Sequence, residues 1–370
     1  MEKRKLYAET VPYLLHWYEY NRRILPWRED PTPYHVWVSE IMLQQTRVEA
    51  VRGYYDRFLT RLPDIAALAM AEEEELLKLW EGLGYYNRVR NMQKAARILM
   101  ERYGGEMPPD YEKLRELPGI GDYTAGAISS IAFGLPYPAV DGNVLRVMSR
   151  IACNEEDIAK EQTKQKLKED LISIMPKQSG EFNQSLMELG ATVCLPNGKP
   201  LCEQCPVMHL CRAFHAGRET ELPVKSGKKA RRIERRTVLV ISYGGRVLLH
   251  RREKKGLLAG LWEFPNFLMR SVEAEVEQLQ SGLPETLITV QKTKKTKHIF
   301  SHVEWHMEGI WITAEAAAEE AVAEERQKRL VETVRKLMDM PTDEPEAWVF
   351  ATPPEMRKKY PIPSAFEAFL

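Results

Sequence analysis

The sequence predicts a multi-domain protein, in which an all-α domain with a cysteine-rich loop precedes a mixed α/β domain. Apolar residues recur at helical spacing from Tyr7 to Arg115, and four of the five cysteines cluster near residue 200. Strand-like runs follow a basic segment. The length of 370 residues allows each domain to bury its own core. We expect a helical domain at 1–216, a basic linker at 217–235 and a second domain at 236–370.

The overall charge gives no sign of a nucleic-acid partner, because 53 basic residues balance 53 acidic ones. Any affinity for an anion must come from local patches. The first apolar stretch is interrupted by Glu9, His16 and Glu19, and no run is long enough to cross a bilayer. We expect a soluble, cytoplasmic protein with no membrane partner. In a reducing compartment, clustered cysteines suit a metal site better than disulfides.

The helical domain is expected to be a bundle of short helices that break at Pro, Gly or Asp. Within it, the helical stretch VWVSEIMLQQTRVEAV places Trp37, Ile41 and Val48 toward the core. Glu40 stands in these apolar surroundings, where burial would raise its pKa and let it hold a proton near neutrality. A helix-start or surface carboxylate is the alternative interpretation of Glu40.

A sharp turn and a second helix follow in the stretch LPGIGDYTAGAISSIAFGLPYPAVDGNV. Pro118 ends a short helix at Leu114 to Leu117, and Gly119 and Gly121 allow the chain to reverse. The next helix, Tyr123 to Phe133, begins with small residues, so its unsatisfied amides could bind a phosphate. An αα-hairpin that only packs two helices is the alternative.

This segment resembles the helix-hairpin-helix and Gly/Pro-Asp element of the DNA glycosylase superfamily. The resemblance implies that the hairpin, with Gly119 and Gly121, holds the DNA backbone and that Asp141 serves catalysis. A structural monovalent cation at the hairpin carbonyls is compatible with it. In the endonuclease III branch, the position of Tyr123 is a lysine whose amine attacks the sugar. Tyrosine cannot form a Schiff base, so the resemblance is to the monofunctional branch, which only removes a base.

The stretch around Glu40 resembles the MutY family of adenine DNA glycosylases, in which a Ser-Glu-x-Met-Leu-Gln-Gln-Thr helix carries the catalytic acid. Glu40 matches that acid. Gln45 and Thr46 match residues that enter the DNA stack and contact the opposing strand, and Leu43 belongs to the same DNA-binding stretch. Without the resemblance, Gln45 and Thr46 are only a polar helix face.

Three further pairs of residues are assigned to the DNA or the base on this resemblance. Leu83 and Tyr85 belong to an exposed turn whose aromatic tip could wedge between bases, although Tyr85 could instead cap a hydrophobic core. Trp27 and Arg28, in a loop, could flank a purine and donate to its edge, or form a buried anchor with an ion-paired Arg. The last pair is Gln184 and Glu188. These residues could contact adenine from a helix beside the pocket, or they could only face solvent.

A compact cysteine pattern, C-x7-C-x2-C-x5-C, is formed by Cys194, Cys202, Cys205 and Cys211. Four thiolates in one small loop suit either zinc or a cubane iron-sulfur cluster. The glycosylase family carries a 4Fe-4S cluster on a similar pattern, with six residues in the first gap where this chain has seven. The resemblance therefore implies a 4Fe-4S cluster, with the extra residue absorbed by a bulged loop.

Strand-like runs begin the second domain. Thr237 to Tyr243 and Arg246 to His250 flank Gly244 and Gly245, which is a hairpin signal. Helical and strand-like patches alternate after them, which is typical of a mixed α/β domain. These patches are two helical ones, Val272 to Leu279 and Ala314 to Met338, and a strand-like one, Val303 to Thr313.

The run GLLAGLWEFPN, from Gly256, resembles the start of the Nudix fold of nucleotide-pyrophosphate hydrolases. Those enzymes hold magnesium with a following Arg-Glu and paired-glutamate helix, and SVEAEVEQLQ at 271–280 lacks the Arg-Glu pair. The resemblance implies a Nudix-like fold kept for recognition of an oxidised guanine, with Phe300, Ser301 and His302 as the inspecting loop. Ser301 could bond to the changed edge of the lesion, whose N7 has become a donor, or be part of a plain turn.

Together the motifs predict a monofunctional DNA glycosylase of base excision repair that flips out and hydrolyses adenine mispaired with 8-oxoguanine. Glu40 would donate a proton to the purine N7 and ionised Asp141 would stabilise the sugar cation, while Asn143 and Tyr123 orient these groups. The partner would be duplex DNA containing 8-oxoguanine:adenine, bound by a monomer associated with a bacterial-type nucleoid. A bifunctional glycosylase/AP lyase, a non-catalytic lesion-binding protein and a nucleotide hydrolase are the competing hypotheses.

Overall fold

A computed structural model describes residues 2–227, 230–268, 272–282, 288–314, 319–340 and 347–370. The chain divides into two compact units. The helical unit comprises residues 1–71 and 87–228, and the sheet unit comprises residues 72–86 and 229–370. The segment 72–86, which the sequence places in the helical domain, is thus grouped with the sheet unit.

Short helices form the first part of the chain, as the sequence predicts. Several begin at a side chain that accepts a hydrogen bond from an unpaired amide of the first turn, as Thr32, Asp64 and Asp110 do. In chain order the helices are α1 (Glu2–Asn21), α2 (Pro26–Glu29), α3 (Pro33–Leu43), α4 (Val48–Arg61), α5 (Ile65–Met70), α6 (Glu73–Leu79), α7 (Asn87–Tyr103), α8 (Tyr111–Arg115), α9 (Asp122–Ala127), α10 (Gly142–Ile151), α11 (Glu161–Ile172), α12 (Ser179–Thr192) and α13 (Arg212–His215).

Three predicted elements differ in the structure. The stretch 36–51 is not one helix, because α3 ends at Leu43 and α4 begins at Val48, so Gln45 lies in the turn between them. The helix after the hairpin is α-helical only as far as Ala127 and continues as a π-helix over Ile128–Ala132. The Trp-Arg pair expected in a loop lies in the short helix α2, which begins at a proline.

One apolar cluster of the helical unit lies between α1, α10 and α12. Leu14 of α1, Met148 of α10 and Phe182 and Leu186 of α12 are fully buried in one cluster. Each such side chain contributes about 1.5–3 kcal/mol through burial of apolar surface. This packing fixes the start of α10, where Asp141 is the N-cap residue.

Seven strands of the described chain form one mixed sheet in the sheet unit. They are β1 (Arg232–Tyr243), β2 (Arg246–Arg251), β3 (Trp262–Glu263), β4 (Asn266–Leu268), β5 (Ile288–Ile299), β6 (Val303–Ala314) and β7 (Trp348–Ala351). Their order is β3-β2-β1-β6-β5, with β4 paired to β1 and β7 paired to β2. Among the described strands, only β1 and β6 pair in parallel. The predicted division into an all-α part and a mixed α/β part is therefore confirmed.

The predicted hairpin between β1 and β2 is also confirmed. Tyr243 pairs with Arg246, and Gly244 and Gly245 have φ angles of 55° and 76°. Positive φ at both central residues is what a tight two-residue turn needs, and glycine adopts it without a Cβ clash. In contrast, β1 begins at Arg232, inside the segment predicted as linker.

Besides α6, the described helices of the sheet unit are α14 (Val272–Gly282), α15 (Glu320–Leu337) and α16 (Pro353–Lys358). Because β6 extends to Ala314, α15 begins later than the sequence predicts. Strand β5 was not predicted from the sequence, since its lysines interrupt the apolar alternation that marks a strand. Apolar cores lie on both faces of the sheet. None of the described helices is long and apolar enough to span a membrane.

Candidate functional site

The buried carboxylate predicted from the sequence lies on α3. Glu40 is only 6% exposed. Its burial is the main reason that its pKa is raised to about 7. The hydrogen bond from Tyr123 opposes this rise, and the negative charge of Asp141 adds to it. A carboxyl group in this setting can be protonated near neutral pH and can lose that proton to a bound molecule.

Tyr123 lies in the first turn of α9, and its hydroxyl donates a hydrogen bond to Glu40 Oε2. Helix α9 can approach this site because residue 126 is glycine. A Cβ atom at Gly126 would lie 2.2 Å from the carbonyl oxygen of Pro138. Burial, with Glu40 adding to it, raises the pKa of Tyr123 well above its ordinary value. The hydroxyl therefore remains a donor at neutral pH.

Asp141 is the N-cap residue of α10, and its side chain is held from two directions. Oδ1 accepts a hydrogen bond of 2.8 Å from the Val144 amide, and Oδ2 accepts one of 2.7 Å from Asn143 Nδ2. Burial raises the pKa of Asp141, and both hydrogen bonds act against that rise because they favour the ionised form.

A chain of hydrogen bonds connects Asp141 to the cysteine loop. Asn143 Oδ1 accepts from Arg146 Nη2 at 2.9 Å, and Arg146 Nε donates to the Cys194 carbonyl at 2.9 Å. Gly190 makes room for this contact, since a Cβ atom there would lie 2.6 Å from Asn143 Cβ. The sequence analysis does not name Arg146. The sequence did contain a sign that Arg146 is unusual, because Arg146 and Arg150 stand four residues apart in an otherwise mostly apolar helix.

Glu40, Tyr123 and Asp141 line one cavity of about 510 Å³. This volume lies in the range of about 300–1,000 Å³ that is typical of small-molecule sites. The structure thus places the two predicted acidic groups on a shared cavity, although they are far apart in the sequence. Eight other residues that the sequence assigns to the site line the same cavity: Trp27, Arg28, Leu43, Gln45, Thr46, Asn143, Gln184 and Glu188.

The carboxylate of Glu188 is fully buried in this cavity wall and is already paired with two arginines. Arg23 Nε lies 2.6 Å from Oε1, and Arg28 Nη2 lies 2.8 Å from Oε2. Burial alone would raise the pKa of Glu188, but the hydrogen bonds and charges of the two arginines lower it overall. Glu188 therefore neither faces solvent nor offers an unengaged oxygen, and it holds Arg28 at the cavity. Arg23 is a cavity residue that the sequence analysis does not identify.

Two residues predicted to enter the DNA stack have an unusual backbone conformation. Gln45 has a φ of 60° and Tyr85 a φ of 48°, a region that costs a residue other than glycine about 1–3 kcal/mol. Tyr85 is 48% exposed at the tip of its turn in the sheet unit, so it does not cap a core. Leu83 differs from the prediction: it is buried and does not present its side chain at the surface.

The hairpin glycines lie between α8 and α9. Gly119 has a φ of 80°, and a Cβ atom there would lie 2.8 Å from Asn91 Cβ. Gly121 is the N-cap residue of α9 in an extended conformation, which any residue can adopt. Asp122 follows it and forms ion pairs with Arg115 and Lys168 at 2.5 and 2.8 Å. The backbone reversal thus requires glycine at position 119 but not at 121.

The four clustered cysteines line one apolar cavity in the loop after α12. Arg150 Nη1 donates to Cys194 Sγ at 3.2 Å. Burial raises the pKa of Cys205 to about 12 and that of Cys211 to about 11, so the thiolate forms need compensating positive charge. Over the described ranges, no three His, Cys, Asp or Glu side chains are placed to hold one metal ion.

Phe300, Ser301 and His302 connect β5 to β6 in the sheet unit. The Phe300 ring packs edge-on against Trp305, with ring centroids 4.8 Å apart, and its carbonyl accepts a hydrogen bond of 3.0 Å from Arg231 Nε. Ser301 is exposed, and its hydroxyl lies 3.2 Å from His302 Nδ1. The half-buried ring of Phe300 therefore anchors a loop that presents a hydroxyl to solvent.

The raised pKa of Glu40 predicts a cost in stability. Between pH 4.5 and 7 the unfolded chain loses the Glu40 proton while the folded chain retains it, so rising pH destabilises the fold. We compare the free energy of unfolding of Glu40→Gln with that of the unsubstituted protein. From pH 5 to pH 8, this difference should change by about 2 to 3 kcal/mol in favour of Glu40→Gln. Urea unfolding at both pH values measures this difference, with the exposed Glu106→Gln as control. Equal shifts in both variants would contradict it.

Comparisons with known proteins identify similar sequences and structures. Residues 38–171 match the HhH-GPD superfamily of base excision DNA repair proteins, and residues 237–370 match the NUDIX domain. The chain is 38% identical over 351 residues to the adenine DNA glycosylase of Mus musculus, covering 78% of this chain and 68% of that protein. Identity to the adenine DNA glycosylase of Homo sapiens is 37% over 355 residues, covering 78% of this chain and 64% of that protein.

A shorter relative is covered more fully. The adenine DNA glycosylase of Buchnera aphidicola subsp. Schizaphis graminum is 34% identical over 300 residues, covering 80% of this chain and 84% of that protein. Among solved structures, a thermostable thymine-DNA glycosylase gives a TM-score of 0.50 at 28% identity, covering 58% of this chain and 98% of that chain. An endonuclease III trapped covalently on DNA gives 0.50 at 25% identity with the same coverage.

Proposed function

Because the chain belongs to the adenine DNA glycosylase family within the HhH-GPD superfamily of base excision DNA repair proteins, we propose that it is a monofunctional glycosylase that removes adenine paired with 8-oxoguanine. The observation that carries the proposal is that Glu40 and Asp141 line the same cavity, where the hydroxyl of Tyr123 on α9 donates a hydrogen bond to Glu40. Two carboxyl groups in different environments are what cleavage of a glycosidic bond requires.

In this proposal Glu40 is the general acid. A pKa of about 7 leaves a large fraction of Glu40 protonated at neutral pH, so it can donate to N7 of the adenine ring. Protonation turns adenine into a better leaving group. The Tyr123 hydroxyl then stabilises the carboxylate that remains, because its hydrogen bond favours the ionised form.

Asp141 supports the other end of the breaking bond. As the C1′–N9 bond lengthens, positive charge develops on the sugar, and an ionised carboxylate on the cavity wall stabilises it. The Val144 amide and Asn143 hold Asp141 in one orientation. Water then adds to C1′, and the ionised Glu40 can take its proton. Tyr123 offers no amine for a Schiff base, which supports hydrolysis without strand cleavage.

The donor set of the cysteine loop fits a 4Fe-4S cluster. Four cysteine thiols line one apolar cavity, and four thiolates are the ligand set of a 4Fe-4S cluster. When bound, the cluster would supply the positive charge that buried thiolates need and would fix the loop. Cys194, Cys202, Cys205 and Cys211 would hold it, and Arg150 would donate a hydrogen bond to one sulfur.

The proposal is tested by single-turnover adenine release from a duplex that contains 8-oxoguanine opposite adenine. We expect release from this duplex, slower release when guanine replaces 8-oxoguanine, and no base release when cytosine lies opposite the lesion. We also expect no trapping of protein on DNA by borohydride, because no lysine occupies position 123. Absence of adenine release would refute the proposal, and trapping would make the protein a lyase.

Ser301 is expected to contribute the preference for the oxidised guanine. A Ser301→Ala variant loses one hydrogen bond to the lesion, worth about 0.5–1.5 kcal/mol, so the rate preference for 8-oxoguanine:adenine over guanine:adenine should fall about 3- to 10-fold. Release from guanine:adenine should stay unchanged, because that base lacks the N7 donor. The comparison variant is Ser281→Ala, an exposed serine of α14. An equal loss on both duplexes would contradict lesion reading by Ser301.

A further inference from the structure

One face of the sheet is only partly covered by helices. Leu239 and Ile241 of β1 and Ile310 and Ile312 of β6 lie in the apolar core that also contains buried residues of α14 and α15. Further toward the start of β1 the same face is exposed over the described residues, and Ile233 there is 59% exposed. We name this part the open sheet face, and it includes Ile233, Arg235, Lys295, Lys297, Ile299, Glu304, His306 and Glu308.

The residues of the open sheet face are in register across three strands. Arg235 of β1 pairs with His306 of β6, and His306 pairs with Lys297 of β5. Residues paired in register point to the same side of a sheet. Three nitrogen-bearing side chains therefore stand in one row at the spacing of neighbouring strands, about 5 Å.

The open sheet face contains three basic side chains, Arg235, Lys295 and Lys297, and two carboxylates, so its net charge is positive. Glu304 lies 2.8 Å from His306 Nε2, and Glu308 lies 3.8 Å from Lys295 Nζ. Among the described residues, no carboxylate forms an ion pair within 4 Å of Arg235 or Lys297, and both are exposed. Besides the hydrogen bond with His306, the charge of Lys297 also contributes to lowering the pKa of Glu304, but both cations remain exposed to an anionic partner.

The position of this row relative to the loop 300–302 identifies the anion. Lys297 precedes Phe300 by three residues, which is about 10 Å along a strand. On the proposed function, that loop contacts the base opposite adenine. Duplex DNA carries one negative charge for about every 1.7 Å of its axis, so several phosphates lie within 10 Å of any contacted base.

We propose that the open sheet face is a DNA-backbone contact surface, in which Arg235 and Lys297 bind phosphates beside the lesion while the loop 300–302 contacts the base. The inference rests on the proposed function and adds a sequence-independent contribution to affinity. Phosphate contacts position a protein on the duplex, whereas base contacts supply specificity. The exposed Ile233 and Ile299 would suit a protein partner instead, and the experiment below separates the two.

The test measures the salt dependence of binding for a double variant, Arg235→Gln with Lys297→Gln. The probe is a duplex with 8-oxoguanine opposite 2′-fluoro-2′-deoxyadenosine, which resists cleavage, titrated between 50 and 300 mM NaCl. Two lost phosphate contacts should reduce the slope of log K against log salt by about 1.8 and lower affinity at 0.15 M by about 30-fold. Single-turnover adenine release at saturating protein should remain within about twofold of the unsubstituted rate.

The matched control is Lys328→Gln with Lys358→Gln, which removes the same charge from exposed positions on α15 and α16. The conservative variant Arg235→Lys with Lys297→Arg should keep the full slope, which excludes misfolding as the cause. If the slope of log K against log salt for Arg235→Gln with Lys297→Gln equals that of the control, the inference is overturned. A protein partner is then the occupant of the open sheet face. If the unsubstituted protein releases no adenine, the proposed function fails whatever the slope shows, so the two failures are distinct.

Discussion

Replacing Glu40 with Gln is expected to slow adenine release from an 8-oxoguanine:adenine duplex by about 10³-fold in single-turnover experiments. The glutamine has nearly the same shape and can still accept the Tyr123 hydrogen bond, but it cannot transfer a proton. Binding of the same duplex should change little, because Glu40 is buried and makes its contribution only when the glycosidic bond breaks. A rate within tenfold of the original would exclude Glu40 as the acid.

The pH dependence provides a second readout of Glu40. Since protonated Glu40 and ionised Asp141 are the reactive forms, the rate should be highest below pH 7, down to the pH at which Asp141 takes up a proton, and should fall about tenfold for each unit above pH 7. This sign follows from a pKa raised to about 7, mainly by burial. The residual activity of Glu40→Gln should be flat across the same range. Glu106→Gln, an exposed substitution, should keep the original profile.

Replacing Asp141 with Asn is expected to reduce the rate of adenine release by about 10²- to 10³-fold. The neutral amide cannot stabilise the positive charge that develops on the sugar. The fold should lose little stability, because asparagine is as good an N-cap as aspartate and can accept the hydrogen bond from the Val144 amide. Only the hydrogen bond from Asn143 is lost, which costs about 0.5–1.5 kcal/mol. Single-turnover rates and thermal unfolding of the same sample measure the two effects separately.

Asp64→Asn is a matched control for Asp141→Asn, because it also removes the charge of a helix-capping aspartate. Asp64 caps α5 in the same way, accepting a hydrogen bond of 2.7 Å from the Ala67 amide, and does not line the cavity. Asp64→Asn should leave the rate of adenine release unchanged. Asp141→Asn could instead lower the melting temperature strongly and reduce the rate only as much as the loss of folded protein explains. In that case the role of Asp141 is structural, and the electrostatic account fails.

The division of the chain into two structural classes could be predicted from local sequence patterns. Helical periodicity and the Gly-Gly turn between two β-rich runs predict the all-α and mixed α/β parts, and both are confirmed. Family membership was readable as well, from the stretch around Glu40 and from the Pro-Gly-x-Gly turn before Tyr123. These features follow from neighbours within a few residues, and such contacts depend little on the rest of the fold.

Other features depend on long-range packing and had no reliable local signal. Strand β5 is lysine-rich, and only its pairing with β6 along its length makes it a strand. The pairing of Glu188 with Arg23 joins side chains from distant parts of the chain, so exposure of Glu188 to solvent was an alternative interpretation of the sequence. The burial of Leu83, predicted at an exposed turn, likewise depends on elements that the local sequence does not describe.

The sequence by itself determined which chemical groups the protein carries, including Glu40, Asp141, Tyr123 and the four clustered cysteines. Only the tertiary structure decided that Glu40 and Asp141 share a cavity, and that the pKa of Glu40 is about 7. The physical reason is that desolvation and the charges around a group arise from packing between elements far apart in the sequence, whereas a motif records only which residues are present.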